Sequence, residues 1–337
     1  MGLSAIEGQD GALRVLQLAL AGDRLGQAYL FVGPSGVGKQ LTALSLARAA
    51  LCEQPPQSAG RPDACERCES CRRIREGVHP DVRVFAPRDE GKRNLQVEYV
   101  RSEILPYTKF APFEAKRAFV IFPEADVSFP VEHPEAANAL LKTLEEPRSH
   151  VHFVLTSERP ERLLSTIRSR CQRLRFARLP AASIERILAA GGVDEATRKT
   201  AAGLAGGRAD RALVLADSER AKQLLDTALR IDALIHARGA GELLDVADGL
   251  AKATDRALVL ETLRTFYRDV ALHGLGMPAG ALAFAHEQAR IAQTAERVSP
   301  AAAAERVRAL SELDEQLGRN ANPELALDGL LFALSAR

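Results

Sequence analysis

Two kinds of hydrophobic pattern alternate along the first 180 residues of the chain. Leu13, Leu16 and Leu20 recur three and four residues apart, which predicts an amphipathic helix over residues 9–21. Continuous apolar runs, typical of strands covered on both faces, occur at 28–32, 118–122 and 151–156, with shorter runs at 81–85 and 174–176. Strands that alternate with helices predict a parallel sheet with helices packed on its faces.

Helical patterns lie between and after these runs. We expect helices at 40–51, at 95–106 (ended by Pro106) and at 134–146 (ended before Pro147). Beyond residue 180 the pattern becomes almost entirely helical, with breaks at glycine-rich and Asn-Pro positions. The sequence therefore predicts an α/β domain over 1–178, a small helical domain over 179–215 and a helical bundle over 216–337.

Charge and composition narrow the classes of function. The 337 residues carry a formal net charge of +1, whereas a protein that grips DNA through its phosphates is usually more basic. The whole chain is therefore not an obvious DNA-binding protein, although a local basic patch stays open. The N-terminal residues lack the pattern of a signal peptide, and no apolar run approaches the ~20 residues of a membrane span. We expect a cytoplasmic protein.

A glycine-rich loop joins the first predicted strand to the next helix. The pattern G-x-x-x-x-G-K is completed by Gly33, Gly36, Gly38 and Lys39. In such loops backbone N–H groups cradle phosphates, and the lysine reaches the β- and γ-phosphates. The pattern continues with Ser or Thr, whose hydroxyl binds Mg²⁺, but Gln40 stands there and its amide fits octahedral magnesium poorly. The context indicates a P-loop domain and leaves nucleotide binding open.

A P-loop site that hydrolyses nucleotide also needs an acidic residue at the end of a later apolar strand, where it helps to hold Mg²⁺. The run at 118–122 is followed by Pro123, Glu124 and Asp126. Pro123 stands where the metal-binding Asp belongs, and Glu124 keeps the position of the water-activating Glu. Asp126 would compensate only after a shift in register. Two magnesium ligands are thus missing, which predicts a domain that kept its fold and lost hydrolysis.

Four of the five cysteines fall within twenty residues, namely Cys52, Cys65, Cys68 and Cys71. In a cytosolic protein such clustering indicates metal binding rather than disulfides. Cys-x2-Cys steps let adjacent sulfurs face one ion, and four thiolates suit a tetrahedral structural zinc. An iron–sulfur cluster and free thiols are the alternatives. No open ligand position is indicated, so we expect zinc to stabilise this loop-rich insertion rather than to catalyse a reaction.

Two longer motifs resemble the AAA+ subunits of bacterial DNA polymerase III clamp loaders. They are AANALLKTLEEP at 136–147 and LSTIRSRCQ at 164–172. The degenerate phosphate loop and the sequence GVHPD at 77–81 are similar to the delta-prime branch of that family rather than to its tau/gamma branch. The resemblance covers 1–215 well and 216–337 more weakly, where NANPELAL at 320–327 is similar to closing helices of the family. The segment 127–133 is longer than usual, and we expect a surface elaboration there.

The resemblance implies a fold and a set of residue roles. The fold would be an AAA+ P-loop parallel-sheet domain with a zinc module, then a helical lid domain and a C-terminal helical collar domain. Arg170 would be an arginine finger that stabilises the γ-phosphate in a neighbouring subunit's ATP site, an effect of ~10³–10⁵ in rate. Thr156 and Arg211 resemble the sensor-1 and sensor-2 residues. The alternatives are an ordinary surface arginine at Arg170 and relics of lost chemistry at Thr156 and Arg211.

For the whole chain, the resemblance implies assembly with tau/gamma and delta subunits and loading of the β sliding clamp on primed DNA, without a membrane. Structural zinc is the expected cofactor, and ATP stays open. The polymerase's nucleotidyl transfer would belong to another subunit. One rival function is an ATP-hydrolysing tau/gamma-type motor, which requires magnesium-dependent turnover through Lys39. The other is a zinc-dependent nucleic-acid-binding protein on a dead P-loop scaffold, which the near-neutral charge disfavours.

Overall fold

A computed structural model of the chain describes residues 1–58, 61–86, 94–237, 240–253, 255–284, 287–318 and 321–335. The chain forms two compact units, Met1–Ala212 and Leu213–Arg337. Most of the segment that the sequence assigns to a lid, 179–215, lies in the first unit, and the three-part division stays a prediction. Within the described stretches, no helix combines the length and the apolar character that crossing a membrane requires.

The strands of the first unit are β1 (Ala28–Val32), β2 (Gln57–Ser58), β3 (Arg61–Pro62), β4 (Val82–Val84), β5 (Ala118–Phe122), β6 (Val151–Ser157) and β7 (Gln172–Arg175). Five of them form one sheet in the order β4-β5-β6-β1-β7, and every neighbouring pair is parallel. Every residue of β1, β5 and β6 is buried, because both faces of these central strands are covered. The predicted parallel sheet is therefore confirmed.

The helices that begin in this unit are α1 (Asp10–Ala21), α2 (Lys39–Leu51), α3 (Glu69–Arg75), α4 (Val97–Tyr99), α5 (Leu105–Lys109), α6 (Ala125–Ser128), α7 (Pro134–Glu145), α8 (Ser165–Arg170), α9 (Ala181–Ala190), α10 (Glu195–Leu204) and α11 (Ala209–Ala216). Side chains alternate across β1 and so contribute to two cores. Tyr29 and Phe31 pack in the cluster that includes α1 and α2. Leu30 and Val32 pack in the cluster that includes α7.

One predicted helix boundary differs from the structure. A π-helical turn at Val100–Ile104 joins α4 to α5, so the helix predicted to end at Pro106 continues to Lys109. Pro106 lies in the first turn of α5. Proline is tolerated there because the wider π turn precedes it and its missing N–H removes no regular helical hydrogen bond.

The segment 127–133 is only in part the surface elaboration that the sequence predicts, because residues 131–133 are exposed whereas residues 128–130 are buried. Phe129 is fully buried, and its ring lies 5.0 Å from that of Phe122 at the end of β5, in an edge-to-face arrangement. The backbone N–H of Val131 donates to the carbonyl of Arg162 at 2.8 Å. This segment therefore closes one end of the hydrophobic core instead of only decorating its surface.

The second unit is helical, in agreement with the predicted bundle, and contains α12 (Ser218–Ala237), α13 (Ala240–Lys252), α14 (Arg256–Gly274), α15 (Gln288–Ala295), α16 (Pro300–Gly318) and α17 (Pro323–Ser335). A buried polar cluster lies in its core. Tyr267 donates a hydrogen bond to Asp232 at 2.7 Å, and the Arg306 guanidinium lies over the Tyr267 ring, 5.0 Å from its centroid. Ionised groups are tolerated in a core only when paired in this way.

Candidate functional site

The phosphate loop follows the carboxyl end of β1 and leads into the first turn of α2. Gly36 and Gly38 have φ values of 70° and 92°, a left-handed conformation that glycine adopts without steric cost. A cavity of about 300 Å³ opens beside the loop. Its lining includes Gly36, Gly38, Lys39, Gln40, Glu124, Asp126, Thr156 and Glu158. The structure thus brings together most of the predicted nucleotide-site residues.

Lys39 points back at its own loop. Its ammonium group donates to the carbonyl oxygens of Gly33 at 2.7 Å and Pro34 at 2.6 Å. Burial lowers the pKa of Lys39, and the carboxylates of Glu158, Asp126, Glu124 and Asp210 offset part of that effect. The charge that should bind a γ-phosphate is therefore used within the loop.

The predicted magnesium side of the cavity is also occupied by internal hydrogen bonds. The two carboxylate oxygens of Asp126 accept from the backbone N–H groups of Glu158 at 3.3 Å and Arg159 at 3.0 Å. Asp126 is only 5% exposed, so its carboxylate holds the turn after β6. The hydroxyl of Thr156 accepts from the N–H of Glu124 at 3.1 Å, which places the predicted sensor-1 residue at the same end of the sheet.

Asp210, which sequence reasoning missed, faces the phosphate loop from the start of α11. The N–H of the preceding Ala209 donates to the carbonyl of Gly36 at 2.8 Å. A Cβ atom built on Gly36 would lie only 1.7 Å from Asp210 Oδ1, so the carboxylate fills the space beside that glycine. Burial raises the pKa of Asp210, but hydrogen bonds and charge from Arg208 (2.9 Å) outweigh it and hold the pKa below its usual value.

The neighbouring Arg211 is the residue that the sequence singled out as sensor 2. Its backbone N–H donates to Asp210 Oδ1 at 2.8 Å. Adjacent residues in the first turn of a helix project about 100° apart, and sequence spacing does not say which of the two meets the loop. The role of Arg211 stays a prediction.

Arg170 lies at the opposite, amino end of the parallel strands. It borders an open cavity of about 660 Å³ whose lining includes Gln27 and Ala28 at the start of β1 and Gln172 at the start of β7. The guanidinium donates through Nη2 to the Glu145 carboxylate and through Nη1 to the carbonyl of Thr166, at 2.9 Å for the second. For Arg170 Nε, no acceptor lies among the described residues. The side chain is 31% exposed and ends at the rim of the cavity.

The predicted cysteine site is assembled in the structure. The sulfur atoms of Cys52, Cys65, Cys68 and Cys71 all lie within 4.8 Å of one another. Cys52 Sγ and Cys68 Sγ are 4.0 Å apart, close to the ~3.8 Å edge of a tetrahedron with metal–sulfur bonds of ~2.3 Å. Backbone N–H groups of Arg67 and Cys68 stabilise the Cys65 thiolate and lower its pKa to about 6. Burial raises the pKa of Cys52 and Cys71, so a bound metal would have to displace their protons. Four sulfur atoms this close together fit a metal ion.

The GVHPD segment organises the surroundings of this cluster. His79 Nδ1 accepts from the N–H of Asp81 at 3.1 Å, so the ring proton of the neutral form lies on Nε2, 3.2 Å from Ser70 Oγ. Burial lowers the pKa of His79. The Asp81 carboxylate accepts from the N–H groups of Glu114 at 3.0 Å and Ala115 at 2.9 Å. Both side chains of this motif therefore fix loops around the cluster.

Comparison with known proteins places the chain in a family. A family sequence model described as "DNA polymerase III, delta subunit" matches residues 8–180, and one described as "DNA polymerase III, delta subunit, C terminal" matches residues 227–336. DNA polymerase III subunit delta-prime of Bacillus subtilis is 30% identical over 266 residues, which cover 78% of this chain and 77% of that protein.

Two further relatives match shorter stretches of the chain. Subunit delta-prime of Pseudomonas aeruginosa is 37% identical over 144 residues, or 43% of this chain and 41% of that protein. Subunit tau of Bacillus subtilis is 35% identical over 179 residues, or 53% of this chain and 30% of that protein. The chain therefore belongs to the family of DNA polymerase III clamp-loader subunits, with delta-prime and tau subunits among its relatives.

Proposed function

We propose that this chain is the delta-prime subunit of a DNA polymerase III clamp loader. It would assemble with tau/gamma and delta subunits so that the β sliding clamp is loaded on primed DNA. Its chemical contribution is Arg170, presented to the ATP site of a neighbouring subunit, whereas its own phosphate loop does not hydrolyse ATP. The observation that supports this proposal is a contrast between two cations. Lys39 bonds carbonyl groups of its own phosphate loop, whereas Arg170 lies at the rim of an open cavity.

The absence of hydrolysis follows from the contacts of the magnesium ligands. Gln40 replaces the hydroxyl that should bind Mg²⁺, and Pro123 replaces the carboxylate. Asp126, the acid that could compensate after a shift in register, already accepts two backbone hydrogen bonds. With neither usual magnesium ligand in place, the developing charge on a transferred phosphoryl group would lack the metal that normally stabilises it. Thr156 and Arg211 would then be sensors without a reaction of their own to report.

The arginine-finger role follows from the way Arg170 is held. A guanidinium carries donors in a planar fork that matches phosphate oxygens. Thr166 and Glu145 engage two of its nitrogen atoms and leave the Nε side of the fork directed away from these partners. Such a group is pre-oriented, so a neighbouring phosphate can accept from it without reordering the whole side chain.

We further propose that the four cysteines hold a structural zinc. Zinc would lock the insertion that contains Asp63, whose carboxylate accepts from the N–H groups of Leu3 at 2.7 Å and Ser4 at 3.0 Å. The chain's own residues thereby connect the cysteine cluster to the first residues of the chain. The expected contribution is to folding, since all four ligand positions are filled by thiolates.

The decisive experiment compares Arg170→Ala with the matched control Arg168→Ala in a reconstituted complex with tau/gamma and delta subunits. Both arginines belong to α8, and Arg168 is an exposed residue of the same last turn. We expect both variants to assemble. DNA-stimulated ATPase should fall by ~10³ or more at the site that Arg170 completes and should be unchanged in the control. Unchanged ATPase in an assembled Arg170→Ala complex would contradict the finger role.

ATP hydrolysis by the isolated chain tests the other half of the proposal. We expect none, with or without Mg²⁺. Magnesium-dependent turnover that Lys39→Ala abolishes would instead identify a tau/gamma-type motor.

A further inference from the structure

The phosphate loop of this chain has an acidic residue, Asp210, packed against it. Asp210 Oδ1 occupies the space beside the Gly36 α-carbon, at the middle of the loop. Asp210 lies in the first turn of α11. The N–H of Ala209, the first residue of that helix, donates to the Gly36 carbonyl at 2.8 Å. The Asp210 carboxylate therefore packs against the loop, and a backbone hydrogen bond from the neighbouring residue helps to hold it there.

The lost magnesium ligands would not by themselves keep a nucleotide out of the loop. Gln40 and Pro123 affect the metal, whereas phosphates bind mainly through backbone N–H groups and the lysine. A loop with those parts intact would still be expected to hold a nucleotide, though without hydrolysis. Exclusion of nucleotide needs a second cause that acts on the phosphates themselves.

The charges around the cavity supply such a cause. Lys39 is the cation of the loop, and the carboxylates of Glu124, Asp126, Glu158 and Asp210 all act on it. Of these acids, Asp210 is the one that packs against the loop glycine. A triphosphate would place several further negative charges beside it, and like charges at short range in a partly buried site repel strongly.

We propose that Asp210 is the residue that excludes nucleotide from this phosphate loop, by holding a negative charge against the loop at Gly36 that repels the phosphates of ATP. The inference rests on the proposed function, in which the chain does not hydrolyse ATP, and adds a cause for weak or absent binding. Arg208 pairs with Asp210 at 2.9 Å, but two backbone contacts hold the carboxylate beside the loop without it: the Ala209 N–H bonds the Gly36 carbonyl, and the Arg211 N–H bonds Asp210 Oδ1.

The test is ATP binding by the full-length chain, measured by titration calorimetry for the wild type and for Asp210→Asn and Asp210→Gly. We expect each variant to bind ATP at least about tenfold more tightly than the wild type, since one like charge is removed from the loop. Two controls separate the effect of removing the Asp210 charge from the effect of loosening a helix. Arg208→Gln breaks the ion pair but keeps the carboxylate, and Asp194→Asn removes the capping acid of α10, whose carboxylate accepts from Thr197. Neither control should gain affinity.

Three outcomes would overturn the inference. They are tight binding of ATP by the wild type, folded Asp210 variants that bind no better than the wild type, and an equal gain in Arg208→Gln, which would assign the effect to the loosened helix. Hydrolysis, followed in the same samples, reports separately on the proposed function. Turnover by the wild-type chain would refute the proposed function, whereas the binding comparison would still decide the role of Asp210.

Discussion

The two ends of the central sheet differ in what their charged residues do. At the carboxyl end of β1, Lys39 bonds carbonyl groups of its own loop and Asp210 lies against Gly36. The amino end of β1 lies about 16 Å away, because the strand is five residues long. There Glu145 and Thr166 hold Arg170 at the rim of an open cavity. The carboxyl end satisfies Lys39 within its own loop, whereas at the amino end the partly exposed Arg170 side chain borders an open cavity.

This difference shows why a subunit can lose one activity and keep another. The loop residues sit on the β1–α2 connection, whereas Arg170 ends α8 and is supported by α7. Among the residues that the structure describes, the hydrogen-bond partners of Arg170 are Thr166, Ser169 and Glu145, which all lie outside the phosphate loop. Substitutions such as Gln40 and Pro123 can therefore accumulate at one end without disturbing the geometry at the other.

The largest expected effect comes from exchanging the arginine while keeping its charge. Arg170→Lys retains a cation but loses the planar fork, so ATPase at the completed site should fall by about 10²–10³ in a reconstituted complex. Lys39→Ala in the same complex should change the rate by less than about twofold, because that amine serves its own loop. The reverse pattern would mean that the carboxyl end is the active one.

Loss of the metal should have the next largest effect, on stability. Helix α2 starts at the phosphate loop and ends at Leu51, just before Cys52, so the cysteine cluster lies toward the same end of the sheet as Arg170. Cys65→Ser should lose the single zinc that we propose for the wild type and lower the melting temperature by about 5–10 °C. Metal analysis and thermal unfolding measure both effects.

The control for this prediction is the one cysteine outside the cluster. Cys171→Ala removes a buried thiol whose pKa burial raises to about 12, and it should keep one zinc per chain. Zinc loss in both variants would show that the metal responds to general destabilisation, and a wild-type chain without zinc would contradict the site.

Removing the carboxylate that supports Arg170 should have a smaller effect. Glu145→Gln removes the carboxylate that orients Arg170 while leaving Thr166 in place. Because partly exposed ion pairs contribute about 1 kcal/mol or less, kcat of the complex should fall only about threefold to fivefold, with an unchanged KM for ATP. Glu146→Gln, one residue beyond the end of α7, is the matched control and should leave kcat unchanged. A rise in KM without a fall in kcat would contradict an orienting role.

The sequence predicted the parts whose physics is local or periodic. The apolar runs placed β1, β5 and β6 nearly at their observed bounds, and Cys-x2-Cys spacing brought four sulfurs together. The misses are tertiary. Phe129 enters the core because it packs against the ring of Phe122, a contact that neither the hydrophobic pattern nor motif spacing predicts. Likewise, Asp210 meets Gly36 through a contact between residues more than 170 positions apart, which no local rule contains.

The smallest expected effect is a pH dependence of stability near the cysteine cluster. Burial holds the pKa of His79 below its usual 6.5, and protonation of Nδ1 would break the hydrogen bond from Asp81. The unfolded chain therefore binds a proton more readily than the native chain. His79 contributes its full stability above about pH 7 and loses it as pH falls through 6.5 toward the lower native pKa. Thermal unfolding from pH 7.5 to 5 should show this slope.

His79→Asn should flatten that slope, because its side-chain oxygen can accept from Asp81 without titrating. The variant need not match the wild type in stability at neutral pH, since only the slope reports on the proton. Some slope should remain, because burial also lowers the pKa of His152. The control His133→Asn changes an exposed histidine and should leave the wild-type profile intact. An unchanged slope in His79→Asn would place the acid sensitivity elsewhere in the chain and remove this distinction between the two ends of the sheet.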